Sequence, residues 1–119
     1  MRVAVAITAA SLLLPAIPAH GHAMLDRAEP RVGSTVSSAP RQLSLWFTQS
    51  IEPASSTVEV RDPAGVRADA GRPRADSSRR SLHIPLKALR PGTYRVHWQV
   101  LSTDGHNSEG GFSFQVQGR

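Results

Sequence analysis

The chain has 119 residues, no cysteine and a formal net charge of +5. This length predicts one domain rather than two. The absence of cysteine excludes both disulfides and a lipidated cysteine anchor, so a small hydrophobic core must stabilise the fold by itself.

The first 21 residues have the three regions of an export signal. Met1-Arg2 gives a positive start, Val3–Leu14 is an apolar run too short to span a bilayer comfortably, and Ala19-His20-Gly21 has the small-x-small pattern that signal peptidase recognises. We therefore predict cleavage after Gly21, with a signal peptide over 1–21 and a soluble, exported domain over 22–119. Cleavage after Ala19 is the alternative.

The exported part of the chain shows repeated alternation of apolar and polar residues, which predicts β-strands. In the clearest segment, Tyr94, Val96, Trp98 and Val100 share one face. Clusters of Pro, Gly, Asn, Asp and Ser separate the segments. The pattern predicts an all-β fold, a small antiparallel Greek-key sandwich or barrel. The clear strand segments are 42–48, 57–60, 94–100 and 110–116, and weaker ones lie around 23–28, 32–36, 65–68 and 81–86.

The excess of positive over negative charge arises mostly from one basic segment, Gly71–Arg80. Removal of Arg2 with the signal leaves 13 Lys and Arg against 9 Asp and Glu, a net charge of +4. Basic segments can bind nucleic acid or anionic lipid, but this one lacks aromatic residues and is mixed with Ser, Pro, Gly and Asp. We interpret it as a solvated loop, and export makes a nucleic-acid partner less plausible still.

Two histidines, His97 and His83, are interpreted as structural residues rather than metal ligands. His97 lies on the polar face of its strand and is expected to be exposed. His83 lies between apolar neighbours, and we expect it to be half-buried and hydrogen-bonded to the backbone. Neither has a second metal ligand nearby in the sequence.

Asp104 and His106 flank Gly105, whose conformational freedom lets both side chains converge on one point. Asp-Gly is also a frequent hairpin signal, so the spacing alone leaves an ordinary turn open.

Cleavage after Gly21 would make His22 the N-terminal residue. Its α-amine, which titrates at about pH 7.7–8.0, and its imidazole Nδ1 can then chelate one metal ion. With Asp104 and His106 they complete an N,N,N,O donor set, which suits Cu(II). Cleavage after Ala19 would instead place histidines first and third, and that arrangement can bind Cu(II) without the distant loop.

Two blocks of sequence resemble the CopC copper-resistance family. The block "HAMLDRAEPRVGSTVSSAPRQLSLWFTQSIEP" is similar to the start of its mature proteins, and "YRVHWQVLSTDGHNSEGGFSFQV" resembles its Tyr-x-Val-x-Trp signature with Asp-Gly-His. The resemblance implies a periplasmic domain of immunoglobulin-like or cupredoxin-like topology that binds copper without catalytic turnover. It also implies that His22, Asp104 and His106 are the Cu(II) ligands. The expected partner is an inner-membrane copper transporter similar to CopD, and we expect a monomer.

The chain departs from the family pattern at two points. Some members have a second, Cu(I) site in a methionine-rich loop, whereas Met24 is the only methionine here after processing. We therefore predict one Cu(II) site and no methionine-built Cu(I) site. Gln49 stands where relatives often have a glutamate near the metal. It can hydrogen-bond a ligand or a bound water, but we do not count it as a ligand.

Two other functions remain open. Lytic polysaccharide monooxygenases also bind copper through an N-terminal histidine, although this small domain has few aromatic residues for a polysaccharide-binding face. A carboxylate ligand would also favour storage over turnover. The third possibility is an adhesion or scaffold sandwich with incidental histidines.

Overall fold

The computed structural model describes residues 3–4 and 22–118. The expected cleavage sites and most of the expected signal peptide lie outside these residues. Among the described residues, no helix is long and apolar enough to cross a membrane.

Residues 22–118 form two four-stranded sheets packed face to face, with strand orders β1-β3-β6-β5 and β2-β8-β7-β4. All pairings are antiparallel except that of β2 with β8, which is parallel. This architecture confirms the all-β sandwich. The strands are β1 (Leu25–Glu29), β2 (Thr35–Val36), β3 (Gln42–Phe47), β4 (Thr57–Arg61), β5 (Arg74–Ala75), β6 (Ser81–Pro85), β7 (Gly92–Leu101) and β8 (Asn107–Val116), with a 3-10 turn at Pro53–Ser55.

The core lies between the sheets and contains the residues that the alternation assigns to inward faces. The four inward-facing residues of β7, Tyr94, Val96, Trp98 and Val100, are buried, and Trp98 packs edge-on against Phe47 with ring centroids 5.2 Å apart. Tyr94 stacks on Phe114 at 5.6 Å. Burial of each large apolar side chain stabilises the fold by about 1.5–3 kcal/mol, so these inward faces replace the missing disulfides.

Two strand predictions and one loop prediction differ from the structure. Residues 65–68 form no strand, because Asp62 Oδ1 accepts hydrogen bonds from Ala64 N and Val66 N and closes a turn there. Only an isolated bridge between Arg61 and Arg67 remains. The predicted strand at 32–36 is reduced to Thr35–Val36. The basic segment, expected to be a loop, contains the short strand β5, because Ala75 packs against the core beside Leu82.

Strand pairing brings the N-terminal segment and the β7–β8 turn to one end of the sandwich. Leu25, at the start of β1, pairs with Phe47 at the end of β3. The chain then continues to Ile51, which forms a bridge with Ser102, directly after β7. Because the expected Cu(II) ligands His22, Asp104 and His106 lie here, we call this end, formed by residues 22–24, 48–51 and 102–106, the copper end.

Candidate metal centre

A tight turn, Ser102–His106, connects β7 to β8 and holds two of the three expected ligands. Ser102 N donates to His106 O at 2.9 Å, and Gly105 N donates to Ser102 O at 2.9 Å. Gly105 has φ +94°, a conformation that side chains other than glycine rarely adopt. The expected role of Gly105 is thus confirmed, and the turn places Asp104 and His106 side by side.

Ser102 orients the Asp104 carboxylate. Its buried hydroxyl donates to Asp104 Oδ1, and His106 Nδ1 lies 3.3 Å from the same oxygen. The Ser102 hydrogen bond lowers the pKa of Asp104, and the hydrogen bond and charge of His106 lower it further. Asp104 is therefore ionised over an unusually wide pH range. Sequence reasoning missed Ser102, although a serine two residues before an aspartate in a turn is a signal for such a contact.

His22 lies beside this turn. The imidazole rings of His22 and His106 have centroids 5.4 Å apart and planes inclined by 48°. Both side chains are exposed. His22, at the start of the domain, therefore lies close to Asp104 and His106, which are more than 80 residues later in the sequence. Two imidazoles and one carboxylate meet at this place.

The segment Thr48–Ser50 links the two ligand-bearing parts of the chain. On one side, Thr48 N donates to Met24 O at 2.9 Å and Thr48 Oγ1 accepts from Met24 N at 3.0 Å. On the other side, Ser50 O accepts from Thr103 N at 3.0 Å. These bonds fix the spacing between the N-terminal segment and the turn, and no sequence motif indicated them.

Gln49 lies within this linking segment and is half-buried. Within residues 22–118, its side chain forms no hydrogen bond. It is thus placed between the two ligand-bearing segments, and its suggested role as a hydrogen-bond donor to a ligand or water stays a prediction.

The three candidate ligands form two neighbouring pairs that share His106. Among the described residues, no group of three or more His, Cys, Asp or Glu side chains is already arranged to hold a metal ion. In the unprocessed chain, His22 is joined to Gly21 by a peptide bond, so its α-nitrogen is an amide and a poor ligand. A complete four-donor set at this position requires cleavage at that bond.

The other two described histidines lie away from the copper end. His97 is exposed, as expected, with Nε2 3.2 Å from Glu109 Oε2. His83 is half-buried, also as expected, but the expected backbone hydrogen bond is wrong. Its Nδ1 lies 2.8 Å from Ser44 Oγ and its Nε2 lies 3.2 Å from Ser81 Oγ, because Ser44 and Ser81 face it from the same outer sheet surface.

Comparison with known proteins assigns the chain to a family. The family model described as "CopC domain" matches residues 25–117. Copper resistance protein C of Xanthomonas campestris pv. juglandis is 34% identical over 125 residues, which cover 97% of this chain and 95% of that protein.

A longer relative and a solved structure extend the comparison. Copper transport protein CutJ of Bacillus subtilis (strain 168) is 27% identical over 99 residues, covering 80% of this chain but only 18% of CutJ. The crystal structure of CopC from Methylosinus trichosporium OB3b superposes with a TM-score of 0.76 and 31% identity, over 81% of this chain and 94% of that one.

Proposed function

The chain belongs to the CopC family and so has a copper-related function, and from that premise we propose that its mature domain, residues 22–119, is a periplasmic Cu(II) carrier rather than an enzyme. The proposed ligands are His22, Asp104 and His106. The observation that carries this proposal is the approach of the His22 and His106 rings to 5.4 Å, beside the Asp104–His106 contact.

The donor chemistry of these residues suits Cu(II). Cleavage after Gly21 frees the His22 α-amine, which then chelates together with its own imidazole. His106 adds a second imidazole, and Asp104 adds a carboxylate oxygen. Nitrogen and oxygen donors in a tetragonal arrangement favour Cu(II), which also stands highest in the divalent affinity order. Because the Ser102 hydrogen bond lowers the pKa of Asp104, protons compete with the metal for this carboxylate only in more acidic solution than for an ordinary aspartate.

The same donor set supports a carrier function. Four donors fill the plane of a Cu(II) ion, whereas oxygen activation needs open coordination positions. The candidate ligands are also exposed at the copper end, where a partner can reach the metal. Protection against copper and delivery of copper are both compatible with this arrangement.

The proposed partner is an inner-membrane copper transporter similar to CopD. Support comes from CutJ, a protein named for copper transport in which the region similar to this chain is a small part of a longer protein. A separate copper-binding chain and a fused one can serve the same transport step. We propose that this chain acts as a monomer that passes its Cu(II) to such a transporter.

The role of the free amine can be tested by blocking the N-terminus. We expect mass spectrometry of the exported protein to show His22 as its first residue. We expect the purified protein to take up one Cu(II) with a tetragonal electron paramagnetic resonance spectrum and about three nitrogen ligands. A mature protein with an acetyl group on the His22 α-amine keeps every side chain but lacks the amine donor, and we expect its Cu(II) affinity to fall about a hundredfold or more.

Two results would contradict this proposal. An exported protein that starts at His20 would replace the site with a self-contained N-terminal one. Equal Cu(II) affinity with and without the acetyl group would show that the His22 amine is not a ligand. Peroxide formation or sugar oxidation by the copper-loaded protein with a reductant would favour the monooxygenase alternative.

A further inference from the structure

We propose that Met24 is a ligand for Cu(I), so that the copper end binds the reduced ion through the Met24 thioether and the His22 and His106 imidazoles. This inference rests on the proposed function, because it uses two of the same ligands. It also revises the expectation that a chain with a single mature methionine has no site for Cu(I).

The first observation is that Met24 is exposed. Its relative exposure is 57%, although methionine commonly fills gaps in hydrophobic cores. Among the large hydrophobic residues exposed in 22–118, the other two are Val32 and Val66. Val32 follows the far end of β1 and Val66 follows the far end of β4. Met24 therefore stands at the copper end without packing into the core.

The second observation is the direction in which Met24 projects. The backbone hydrogen bond from Thr48 N to Met24 O continues the β1–β3 pairing past Leu25 and Phe47, and the Thr48 hydroxyl accepts a second bond from Met24 N. Side chains alternate along such a segment. Ala23 is fully buried and Leu25 packs against the core, so His22 and Met24 both project away from it. The thioether and the His22 imidazole thus leave the same side of the chain, two residues apart.

The third observation is the position of the histidine rings. The His22 ring lies next to the His106 ring, with 5.4 Å between centroids. A thioether beside two imidazoles is a mixed soft and borderline donor set. Thioether ligands select Cu(I), whereas carboxylate and amine ligands do not. The two oxidation states would therefore share the imidazoles and differ in the remaining donors: the His22 amine and Asp104 for Cu(II), and Met24 for Cu(I).

The Thr48 contacts make this geometry available without refolding. Thr48 fixes the backbone of Met24 through both its N–H and its hydroxyl, while the Met24 side chain has three rotatable bonds. Only the side chain has to move to meet a metal held by the histidines. The protein neither oxidises nor reduces the copper, because each ion is bound in the oxidation state in which it arrives.

The test compares the mature protein with Met24→Leu, which keeps the size and apolar character of an exposed side chain. Cu(I) affinity is measured anaerobically by competition with bicinchoninate, and the ligands are measured by copper X-ray absorption. We expect the parent protein to show a copper–sulfur shell. We expect Met24→Leu to lose that shell and at least tenfold in Cu(I) affinity, with its Cu(II) affinity unchanged within about twofold.

Two controls separate this inference from the proposed function. Val66→Met adds a thioether at the far end of the sandwich and should not restore Cu(I) affinity in Met24→Leu. A parent protein without a sulfur shell, or Met24→Leu with unchanged Cu(I) affinity, would overturn the role of Met24 while Cu(II) binding stands. Absence of Cu(II) binding in the parent protein would instead refute the proposed function.

Discussion

Two histidine–carboxylate pairs on the β7–β8 hairpin have nearly the same separation but different surroundings. His97 Nε2 lies 3.2 Å from Glu109 Oε2, and His106 Nδ1 lies 3.3 Å from Asp104 Oδ1. Both pairs are exposed. Among residues 22–118, only the second pair has another imidazole beside it, that of His22. A single histidine–carboxylate contact therefore does not identify a metal site, and the additional donor distinguishes the two.

The surroundings of the first pair also disfavour a cation. Glu59 pairs with His97 across the strands, but its carboxylate oxygens lie 3.4 Å from Arg61 and Arg67. Arg95 lines the same surface groove as His97. The guanidinium groups of Arg61 and Arg67 thus occupy the carboxylate that could have served as a third ligand, and Arg95 raises the local positive potential further.

The strongest test of this comparison removes one histidine from each pair of the mature protein. We expect His106→Ala to lower Cu(II) affinity about a hundredfold or more, equivalent to about 2.7 kcal/mol. We expect His97→Ala to leave it unchanged within about twofold, because no second imidazole lies beside His97 among the described residues. Competition titration with a chelator of known affinity measures both. Equal losses in the two variants would mean that the hairpin binds copper at a site other than the one proposed.

The serines next to the two pairs provide the second test. Ser102 is hydrogen-bonded to Asp104 and to the turn backbone, whereas the buried Ser108 hydroxyl, next to Glu109, has no hydrogen-bond partner among the described residues. Ser102→Ala should lower the free energy of unfolding by about 1–2 kcal/mol, and Ser108→Ala should leave it unchanged or raise it. Urea unfolding measures both values. A larger loss in Ser108→Ala would show that its hydroxyl does have a partner.

The effect of Ser102→Ala also depends on pH. Because the folded state lowers the pKa of Asp104, ionised Asp104 contributes stability above the ordinary aspartate pKa of about 3.9, and this contribution disappears as pH falls through the lowered value. The difference between parent protein and variant should therefore be larger at neutral pH than in strong acid. Carbon NMR of the Asp104 carboxyl should show its titration midpoint rising in Ser102→Ala.

Local features of the fold could be predicted from the sequence, and those set by distant pairing could not. The alternation in β3, β7 and β8 is local, because each residue's face is fixed by its neighbours along the strand. The two-residue strand β5 depends on pairing with β6, and so the basic segment looked like a loop.

The candidate site also has a part that local sequence sets and a part that distant strand pairing sets. Convergence of Asp104 and His106 follows from one glycine between them and could be predicted. The position of His22 depends on the β1–β3 pairing and on the bridge between Ile51 and Ser102, which no local pattern indicates. Donor chemistry suggested that the two parts form one site, and the family resemblance implied the same ligand set, but neither explained how the fold brings them together. Neither a local sequence pattern nor the family resemblance indicated the contacts of Thr48 with Met24.

The smallest expected effect comes from adding one negative charge near each pair. Gln49 lies between the two ligand-bearing segments, and Gln99 lies beside His97 and across from Glu109 on the outer face of the sheet. Gln49→Glu and Gln99→Glu change the net charge equally. We expect the first to raise Cu(II) affinity severalfold, about 1 kcal/mol for a charge a few ångströms from a divalent ion in a mostly aqueous setting, and the second to have little effect. The gain should shrink as salt is added, because exposed charges are screened. Titrations at low and high ionic strength measure this difference, and equal gains in both variants would show that net charge, rather than the position of residue 49, sets the affinity.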